Sequence, residues 1–499
     1  MSINKNIKKY SGEWFIPEIG LKLSGVLIID SQEYNQKLKL FSKVDFEGLD
    51  LKNSGPKEVY KIIWGYCEFD SKITLSHCRF QSRNKVGENL FELVYLASMS
   101  FFGGLFKDAD NLEINELTCR FPYLSSWYDT NRIYFGTGSS NDSTDWMKPS
   151  FALDELNDEI IINEDLTIVI ERRYDALNLY DTKKLSQEVS HFVHFKSKIP
   201  RSLNDFIKSA HIFMQLIKLS TGKLMYIDFV SCIPHKNELQ AFDKHLLSKY
   251  LVEEDYDYVF ISITNFNKIH KRELIKSDYI HQGNMLFYGG SKENKRLKEI
   301  IIRWFNVYEK FSSVYNIFLD TFEWFQNTDA LLTEVMFNNR FVNLIQAIEN
   351  YYPISEANKI KEVEDDLNSN KQRILESVPD KNDQVWLSSN IHCHMTLKNK
   401  LKDLLENKIV IICNEIFENP KKRNDFIEII KNNRNKLSHG DKIEISIDKL
   451  FDYYHKTLII LISCILDSLN FSQQEIKDNL FRTLKYGNMI YQIKSELKK

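Results

Sequence analysis

The sequence changes its hydrophobic period near the middle, and this change limits the folds that the chain can adopt. As far as about Phe195, apolar residues alternate with polar ones or run in short stretches, separated by turn-forming segments at residues 53–56 and 136–141. That pattern is typical of antiparallel strands. From Arg296 onward, apolar residues recur at i, i+3 and i+4 over long segments, which is typical of amphipathic helices. The sequence therefore predicts an α+β protein, with a β-rich N-terminal half that is sandwich-like or otherwise antiparallel, followed by an all-α bundle.

The two halves divide further into three predicted domains. Residues 1–198 form a β-rich domain, residues 199–290 its mixed α/β continuation, and residues 295–499 a helical bundle. In the middle domain, Ser202 and Asp205 have the spacing of a helix start. Strands are predicted at residues 23–29, 59–64, 73–75, 90–97, 166–170, 224–230 and 258–263.

The bundle is predicted from five apolar-periodic segments and one polar interruption. The polar residues 368–384 predict a loop that crosses between helices. Residues 458–469 are strongly apolar but too short to span a bilayer, and Ser463 and Asp467 lie among them, so they predict a buried helix. The predicted helices lie at residues 300–311, 331–351, 397–416, 426–439 and 452–469.

Composition excludes several classes of protein. With 43% hydrophobic and 27% charged residues, the chain fits neither a disordered nor a membrane protein, and a net charge of −3 argues against a nonspecific coat on nucleic acid. No apolar signal core follows residues 1–10, and the seven cysteines are scattered singly, so we expect a reducing cytoplasm. No P-loop, nucleophile elbow or dinucleotide fingerprint is present, and we expect no cofactor. The run His392-Cys393-His394 lacks four converging ligands, so we expect no metal there.

Arg434 and His439 are the residues most suggestive of chemistry. An arginine and a following histidine with four to six residues between them are expected about once by chance in a chain with 12 histidines, so the context decides. Phe426, Ile430 and Leu437 form the apolar stripe of a helix that ends just before Gly440, a favourable C′ residue. The negative end of the helix dipole would favour a protonated His439, which suits a general acid.

These two residues together suggest cleavage of RNA without a metal. A ribose 2′-hydroxyl would attack the adjacent phosphorus, His439 would move a proton, and Arg434 would hold the nonbridging oxygens. The structural alternative is that Arg434 pairs with a nearby carboxylate and His439 caps a helix. The local residues leave both interpretations open.

Further motifs give the chain a family resemblance. The run from Arg434 through Asn435 to His439, in a C-terminal helical bundle, resembles the HEPN superfamily, whose signature is an arginine, four to six further residues and then a histidine. Residues 341–349 and 396–405 resemble one branch in particular, the ApeA-like HEPN domain. The N-terminal half is similar to the domain that accompanies it, through residues 12–18, 25–27, 63–65, 73–79 and 124–127 in the expected order.

The resemblance implies an anti-phage protein that acts by abortive infection in a bacterial cytoplasm. The bundle would be a ribonuclease toxin, and the N-terminal half would sense a phage-derived trigger. Arg434 and His439 of two chains would form a composite catalytic site in a homodimer, supported by Asn435 and Glu349. Lys431 and Lys436 would bind phosphates of the RNA, either a transfer RNA or a messenger RNA, whose single-stranded loops can reach a narrow cleft.

A noncatalytic function is the alternative. In that case the bundle would be a dimerisation module or an RNA- or protein-binding module, and the β-rich half would bind a ligand. The exposed aromatic candidates Trp14, Trp127 and Trp146 could line a recognition surface, although core packing is the commoner use of such residues. Loss of His439 without loss of toxicity would favour this alternative.

Overall fold

The computed structural model describes residues 7–30, 35–43, 59–68, 71–109, 111–128, 158–174, 189–223, 225–227, 229–235, 259–263, 280–289, 295–326, 334–391, 393–438 and 447–496. The chain forms two compact units. A strand-rich unit comprises Met1–Ile217, Met225–Ile280 and Gly290–Lys292, and a helical unit comprises Lys218–Leu224, His281–Gly289 and Glu293–Lys499. Residues 290–294, at one predicted domain boundary, lie outside the described residues.

All described strands of the first unit belong to one antiparallel sheet. The five strands predicted in the first 170 residues are present, because alternation of apolar and polar side chains marks a half-buried strand. Six further described strands up to residue 202 were not predicted, and the one predicted at 73–75 is much longer. The strands are β1 (Ile7–Ile16), β2 (Leu21–Asp30), β3 (Asn35–Ser42), β4 (Val59–Cys67), β5 (Ser71–Gly87), β6 (Leu90–Leu96), β7 (Met99–Phe102), β8 (Glu113–Arg120), β9 (Asp158–Ile161), β10 (Leu166–Tyr174), β11 (Val189–Ser202), β12 (Phe229–Pro234) and β13 (Val259–Ile263).

The first six strands close into a ring. They pair in the order β4-β1-β2-β3-β6-β5, and β5 also pairs with β4. From β5 the sheet continues through β7, β13, β12, β8, β11 and β10 to β9. The predicted antiparallel pairing is confirmed. In place of the predicted sandwich-like arrangement, the sheet forms a closed ring with an open extension. Alternation of apolar and polar residues does not distinguish these two arrangements, because both bury one face of each strand.

The ring encloses an apolar core in which a glycine packs closely against a buried tryptophan. Trp14, Leu38 and Leu93 are fully buried in it. Trp14 on β1 pairs with Gly65 on β4, and a Cβ atom at position 65 would lie 2.4 Å from the indole ring. Only glycine leaves room for that ring, so Gly65 and Trp14 together set how closely β1 and β4 pack. Trp14 therefore belongs to the core and not to a recognition surface.

Two helices join the sheet, α1 (Leu124–Tyr128) and α2 (Leu203–Thr221). The Asp205 amide donates to Ser202 Oγ at 3.2 Å, which confirms the predicted helix start. Phe213 of α2 lies 5.9 Å from the ring of Trp127 and is fully buried, as is Trp127 itself. The strand predicted at 224–230 begins instead at Phe229, and the apolar residues Met225, Tyr226 and Ile227 before it are buried.

The second unit is helical, as predicted. Its helices are α3 (Lys295–Gln326), α4 (Glu334–Ser355), α5 (Ala357–Ser377), α6 (Lys381–Asn390), α7 (Leu397–Asp403), α8 (Val410–Ile416), α9 (Pro420–Ser438), α10 (Ile447–Ser468), α11 (Gln473–Arg482) and α12 (Leu484–Glu496). Helix α10 carries the predicted buried segment, with its residues from Leu458 to Leu466 almost inaccessible to solvent. Among the described residues, no helix has both the length and the apolar content needed to cross a bilayer.

Two predictions for this unit were wrong in detail. Residues 368–384 are not a loop: most of them lie in α5 and α6, neither of which has a buried residue. Lysine, glutamate, glutamine and leucine have high intrinsic helix propensity, so these helices form without the burial that the prediction required. Residues 397–416 are not one helix either, because a π-helical turn, Leu404–Lys408, and the non-helical backbone of Ile409 separate α7 from α8.

Candidate functional site

Helix α9 presents the arginine of the predicted site. The Lys422 amide donates to Asn419 Oδ1 at 3.0 Å, which caps the start of the helix. Phe426, Ile427 and Ile430 are buried on one face, as the apolar spacing predicted. This burial fixes the rotation of α9, so the positions between the buried residues face outward.

Arg434 lies beside the buried face and is held by α4. Its Nη2 donates to Glu349 Oε2 at 3.2 Å. The arginine side chain remains 38% exposed and the glutamate side chain 26% exposed. A carboxylate at this distance restrains the guanidinium group and leaves part of it accessible to a solvent-borne anion. The structure thus brings together two residues that are 85 positions apart in the sequence.

The position of Glu349 is fixed by polar contacts a turn further along α4. Tyr352 donates its hydroxyl to Asp403 Oδ2 at 2.6 Å, and Lys359 also contacts this carboxylate. Burial raises the pKa of Asp403, but the hydrogen bonds from Lys359 and Tyr352 outweigh burial and hold the pKa below its usual value. A charged Asp403 therefore anchors the end of α4 that carries Glu349.

The other predicted site residues on α9 occupy its solvent-facing side. Asn435 is exposed, and Lys436 is half-buried. Lys431 lies 3.7 Å from Glu428, whose carboxylate also contacts Lys398 of α7. Lys431 precedes Arg434 by three positions and Asn435 by four, so these three side chains share one side of the helix. His439 and Gly440 lie outside the described residues, and the predicted role of His439 stays a prediction.

Sequence reasoning named Lys431 and Lys436 but missed the other cations of this surface. Helix α9 carries six cationic residues, Lys421, Lys422, Arg423, Lys431, Arg434 and Lys436, against two anionic ones, Asp425 and Glu428. Helix α7, which contacts it through Lys398 and Glu428, carries three lysines against one aspartate. The net charge of the whole chain is −3, so the cations are concentrated here. The lysines within residues 396–405 were visible in the sequence, but only the structure shows that α7 lies beside α9.

Asn433 is the second feature that the sequence analysis missed. It is only 5% exposed, and its Nδ2 has no hydrogen-bond partner among the described residues. Its position, three residues after Ile430 and four before Leu437, lies on the apolar stripe and could have marked it as buried. An unsatisfied buried amide costs about 1–3 kcal/mol. A buried polar group thus lies directly beside Arg434 in the sequence.

Other clusters of titratable residues are less suited to chemistry. In the described part of the chain, no group of three or more histidine, cysteine, aspartate or glutamate residues could hold a metal ion. His394 Nδ1 lies 3.2 Å from Glu364, and His392 is outside the described residues. In the strand-rich unit, both ring nitrogens of His194 contact carboxylates, and burial lowers the pKa of His191 to about 4. The partly exposed Arg434 is therefore the best placed of these groups to meet a substrate.

Comparison with known proteins assigns both halves of the chain. The family model ApeA N-terminal domain 1 matches residues 9–304, which is more than half of the chain, and the family model Apea-like HEPN matches residues 342–475. The second match contains Glu349, Lys431, Arg434 and His439. No curated protein matches the chain, and no solved structure matches it either. The two matches follow each other in the order of the two structural halves, and the chain belongs to the family of ApeA-like HEPN anti-phage proteins.

Proposed function

We propose that this protein is a metal-independent endoribonuclease that defends bacteria against phage by abortive infection. The observation that carries the proposal is the restrained yet accessible Arg434, on a cationic helix inside the segment that matches the HEPN family. HEPN domains are in general ribonuclease-like. The N-terminal half would sense a phage-derived trigger, and the helical half would cut cellular RNA in the cytoplasm.

The proposed chemistry is a transesterification that needs only groups of the RNA and of the protein. The ribose 2′-hydroxyl attacks the adjacent phosphorus, and the bond from phosphorus to the 5′-oxygen of the next nucleotide breaks. His439 moves a proton, and the guanidinium of Arg434 stabilises the negative charge that grows on the nonbridging oxygens. The products are a 2′,3′-cyclic phosphate and a 5′-hydroxyl. DNA, which lacks the 2′-hydroxyl, is not a substrate.

The remaining site residues would position these groups. Glu349 holds Arg434 in orientation at 3.2 Å. Asn435 would orient the imidazole or the phosphate, and Lys431 and Lys436 would bind flanking phosphates. Two chains would bring their arginines and histidines together in a homodimer. Loops of transfer RNA are the proposed substrate, because unstacked nucleotides can enter a narrow cleft.

The Arg434–Glu349 pair also suits a noncatalytic bundle, since a structural arginine makes the same contact. In that second candidate, the cationic helix would bind RNA without cutting it. The cell experiment below separates the two candidates because it measures both protection and RNA cleavage.

We would test the proposal by phage plating and cell survival with Arg434→Ala and His439→Ala at equal soluble levels, together with mapping of RNA ends after infection. Arg423→Ala is the matched control, because Arg423 lies on the same helix and also pairs with one glutamate, Glu406, at 2.5 Å. We expect the first two variants to lose both protection and the new RNA ends, and the control to keep both. Protection that persists in Arg434→Ala and His439→Ala would contradict the proposal.

A further inference from the structure

Helix α5 is strongly amphipathic, yet none of its 21 residues is buried. Its apolar residues Ile360, Val363, Leu367 and Ile374 recur at intervals of three, four and seven, which aligns them in one stripe. Leu367 is 37% exposed and Ile374 is 43% exposed. A six-turn helix with an open apolar stripe of this kind is typical of one half of a helix–helix interface.

Helix α6 covers one flank of α5 and not the stripe. The Lys371 ammonium donates to the backbone oxygen of Ser388 at 2.6 Å and to that of Ile391 at 3.0 Å. Glu364, on the same flank as Lys371, lies 3.2 Å from His394. The flank with Lys371 and Glu364 is therefore occupied by the chain itself. Helix α6 adds a further exposed apolar side chain, Trp386, which is 63% exposed.

The opposite flank carries two charges of opposite sign. Asp366 and Arg373 are seven residues apart, lie on the other side of the stripe, and are both exposed. Neither side chain forms an ion pair within the described ranges. A surface with one anion and one cation at a single heptad spacing is complementary to its own reversed copy, because the pairing of anion with cation then occurs twice.

We propose that the α5 stripe docks against α5 of a second copy of this chain in antiparallel orientation. Two copies that cross near Ser369 would set Asp366 of each against Arg373 of the other, and Val363 of each near the second copy's Ile374. A parallel pair would instead direct Asp366 toward Lys371, which already donates to the backbone carbonyls of Ser388 and Ile391. The occupied flank thus selects the antiparallel arrangement.

The area of the proposed α5 contact can be compared with that of stable interfaces. A 21-residue helix is about 30 Å long and about 10 Å wide. With the ten residues of α6 beside it, each copy would contribute roughly 450 Å², or about 900 Å² in total. That area is below the range of stable interfaces. The pair should therefore be a weak one whose population depends on protein concentration.

The proposed α5 contact goes beyond the ribonuclease proposal, which brings Arg434 and His439 of two chains together but assigns no role to α5. Its test uses the full chain without RNA, so failure of the ribonuclease proposal does not affect the outcome. The measurement is molecular mass by sedimentation equilibrium across a range of protein concentrations. Circular dichroism checks that each variant keeps its helices.

The variants exploit the reciprocity of the two charges. Asp366→Arg and Arg373→Asp should each raise the dimer dissociation constant at least about tenfold, because each puts two like charges together. The double variant with both substitutions should return to within about threefold of the original value, since the pairing is restored with exchanged charges. Lys361→Asp, a charge reversal away from the stripe, should leave the constant unchanged. A monomer at every concentration, equal dimerisation in all variants, or no rescue in the double variant would overturn the proposal.

Discussion

His194 and Arg434 differ in how far their side chains are exposed to solvent. His194 in the strand-rich unit is 7% exposed, and its ring nitrogens lie 2.8 Å from Glu116 and 2.6 Å from Glu171. The Arg434 side chain in the helical unit is 38% exposed and donates to Glu349 Oε2 at 3.2 Å. A buried side chain with carboxylates at both ends joins three neighbouring strands and cannot reach a substrate. His194 is therefore a structural residue of the sheet, whereas Arg434 on the cationic surface of α9 is accessible to a substrate.

The largest expected effect is the loss of cleavage in Arg434→Ala. Removing a charged donor that stabilises a transition-state oxyanion costs about 10²–10³-fold in rate. We expect the initial rate of cleavage of labelled RNA, measured in chelator, to fall by at least about a hundredfold. Arg423→Ala, which breaks the ion pair with Glu406, should keep the rate of the unmodified chain. Equal losses in both variants would mean that Arg434 acts only through the fold, which would contradict a direct role in cleavage.

A second expected effect concerns pH and the buried histidine of the sheet. His191 is 5% exposed, and burial together with Arg172 lowers its pKa to about 4. Because the folded pKa lies below the unfolded one, the unfolded chain binds the proton first as the pH falls from about 6.5 towards 4. The strand-rich unit should therefore lose about 2 kcal/mol of stability by pH 5 through this residue.

His191→Gln should remove that part of the pH dependence, because the amide does not titrate. Hydrogen exchange of the β10 and β11 amides at pH 7 and pH 5 measures the stability of this unit selectively. The difference between the two proteins isolates His191 from other titrating groups. If His191→Gln lost as much stability on acidification as the unmodified chain, the neutral buried His191 would not contribute to the stability of the sheet.

Glu349→Gln should produce a smaller effect that tests how Arg434 is held. The amide keeps the shape but loses the charge that orients the guanidinium, so we expect the cleavage rate to fall about tenfold. Stability should change by less than about 1 kcal/mol, because both side chains are partly exposed. Glu406→Gln is the matched control on the other arginine pair of α9 and should leave the rate intact. An unchanged rate in Glu349→Gln would argue that Arg434 needs no partner.

Lys431→Ala should have the smallest effect. Loss of one phosphate contact should weaken RNA binding evenly across sequences and reduce the slope of log affinity against log salt by about 0.7 for a single strand. Lys477→Ala, which breaks a lysine–glutamate contact on α11, should leave the slope unchanged. Titrations of a noncleavable RNA at several salt concentrations measure both slopes. If the unmodified chain, Lys431→Ala and Lys477→Ala had the same slope, Lys431 would not contact the RNA.

The sequence predicted those parts of the fold that depend on local periodicity. The strand at Leu166–Tyr174, the helix start at Ser202 and the buried helix α10 all follow from spacing within a few residues. The closure of the first six strands depends on the pairing of β4 with β5 and with β1, which no local pattern encodes. The same limit explains the break at Ile409, where the surroundings interrupt an otherwise helical segment.

The candidate site was predictable in its residues but not in its contacts. The spacing of Arg434 and His439 and the family resemblance pointed to α9, and the resemblance also pointed to Glu349. The distance of 3.2 Å between Arg434 and Glu349 depends on how α4 and α9 pack, as does the meeting of Lys398 with Glu428. Tertiary packing therefore supplied the electrostatics of the surface, which single-residue patterns do not contain.

The most direct test of the central claim is the chemistry of the RNA ends that the purified chain produces in excess chelator. The account predicts cleavage under these conditions, with 2′,3′-cyclic phosphate or 3′-phosphate on one fragment and 5′-hydroxyl on the other, and no such ends with Arg434→Ala. Fragments with 3′-hydroxyl ends, or cleavage that requires magnesium, would contradict the proposed attack by the 2′-hydroxyl.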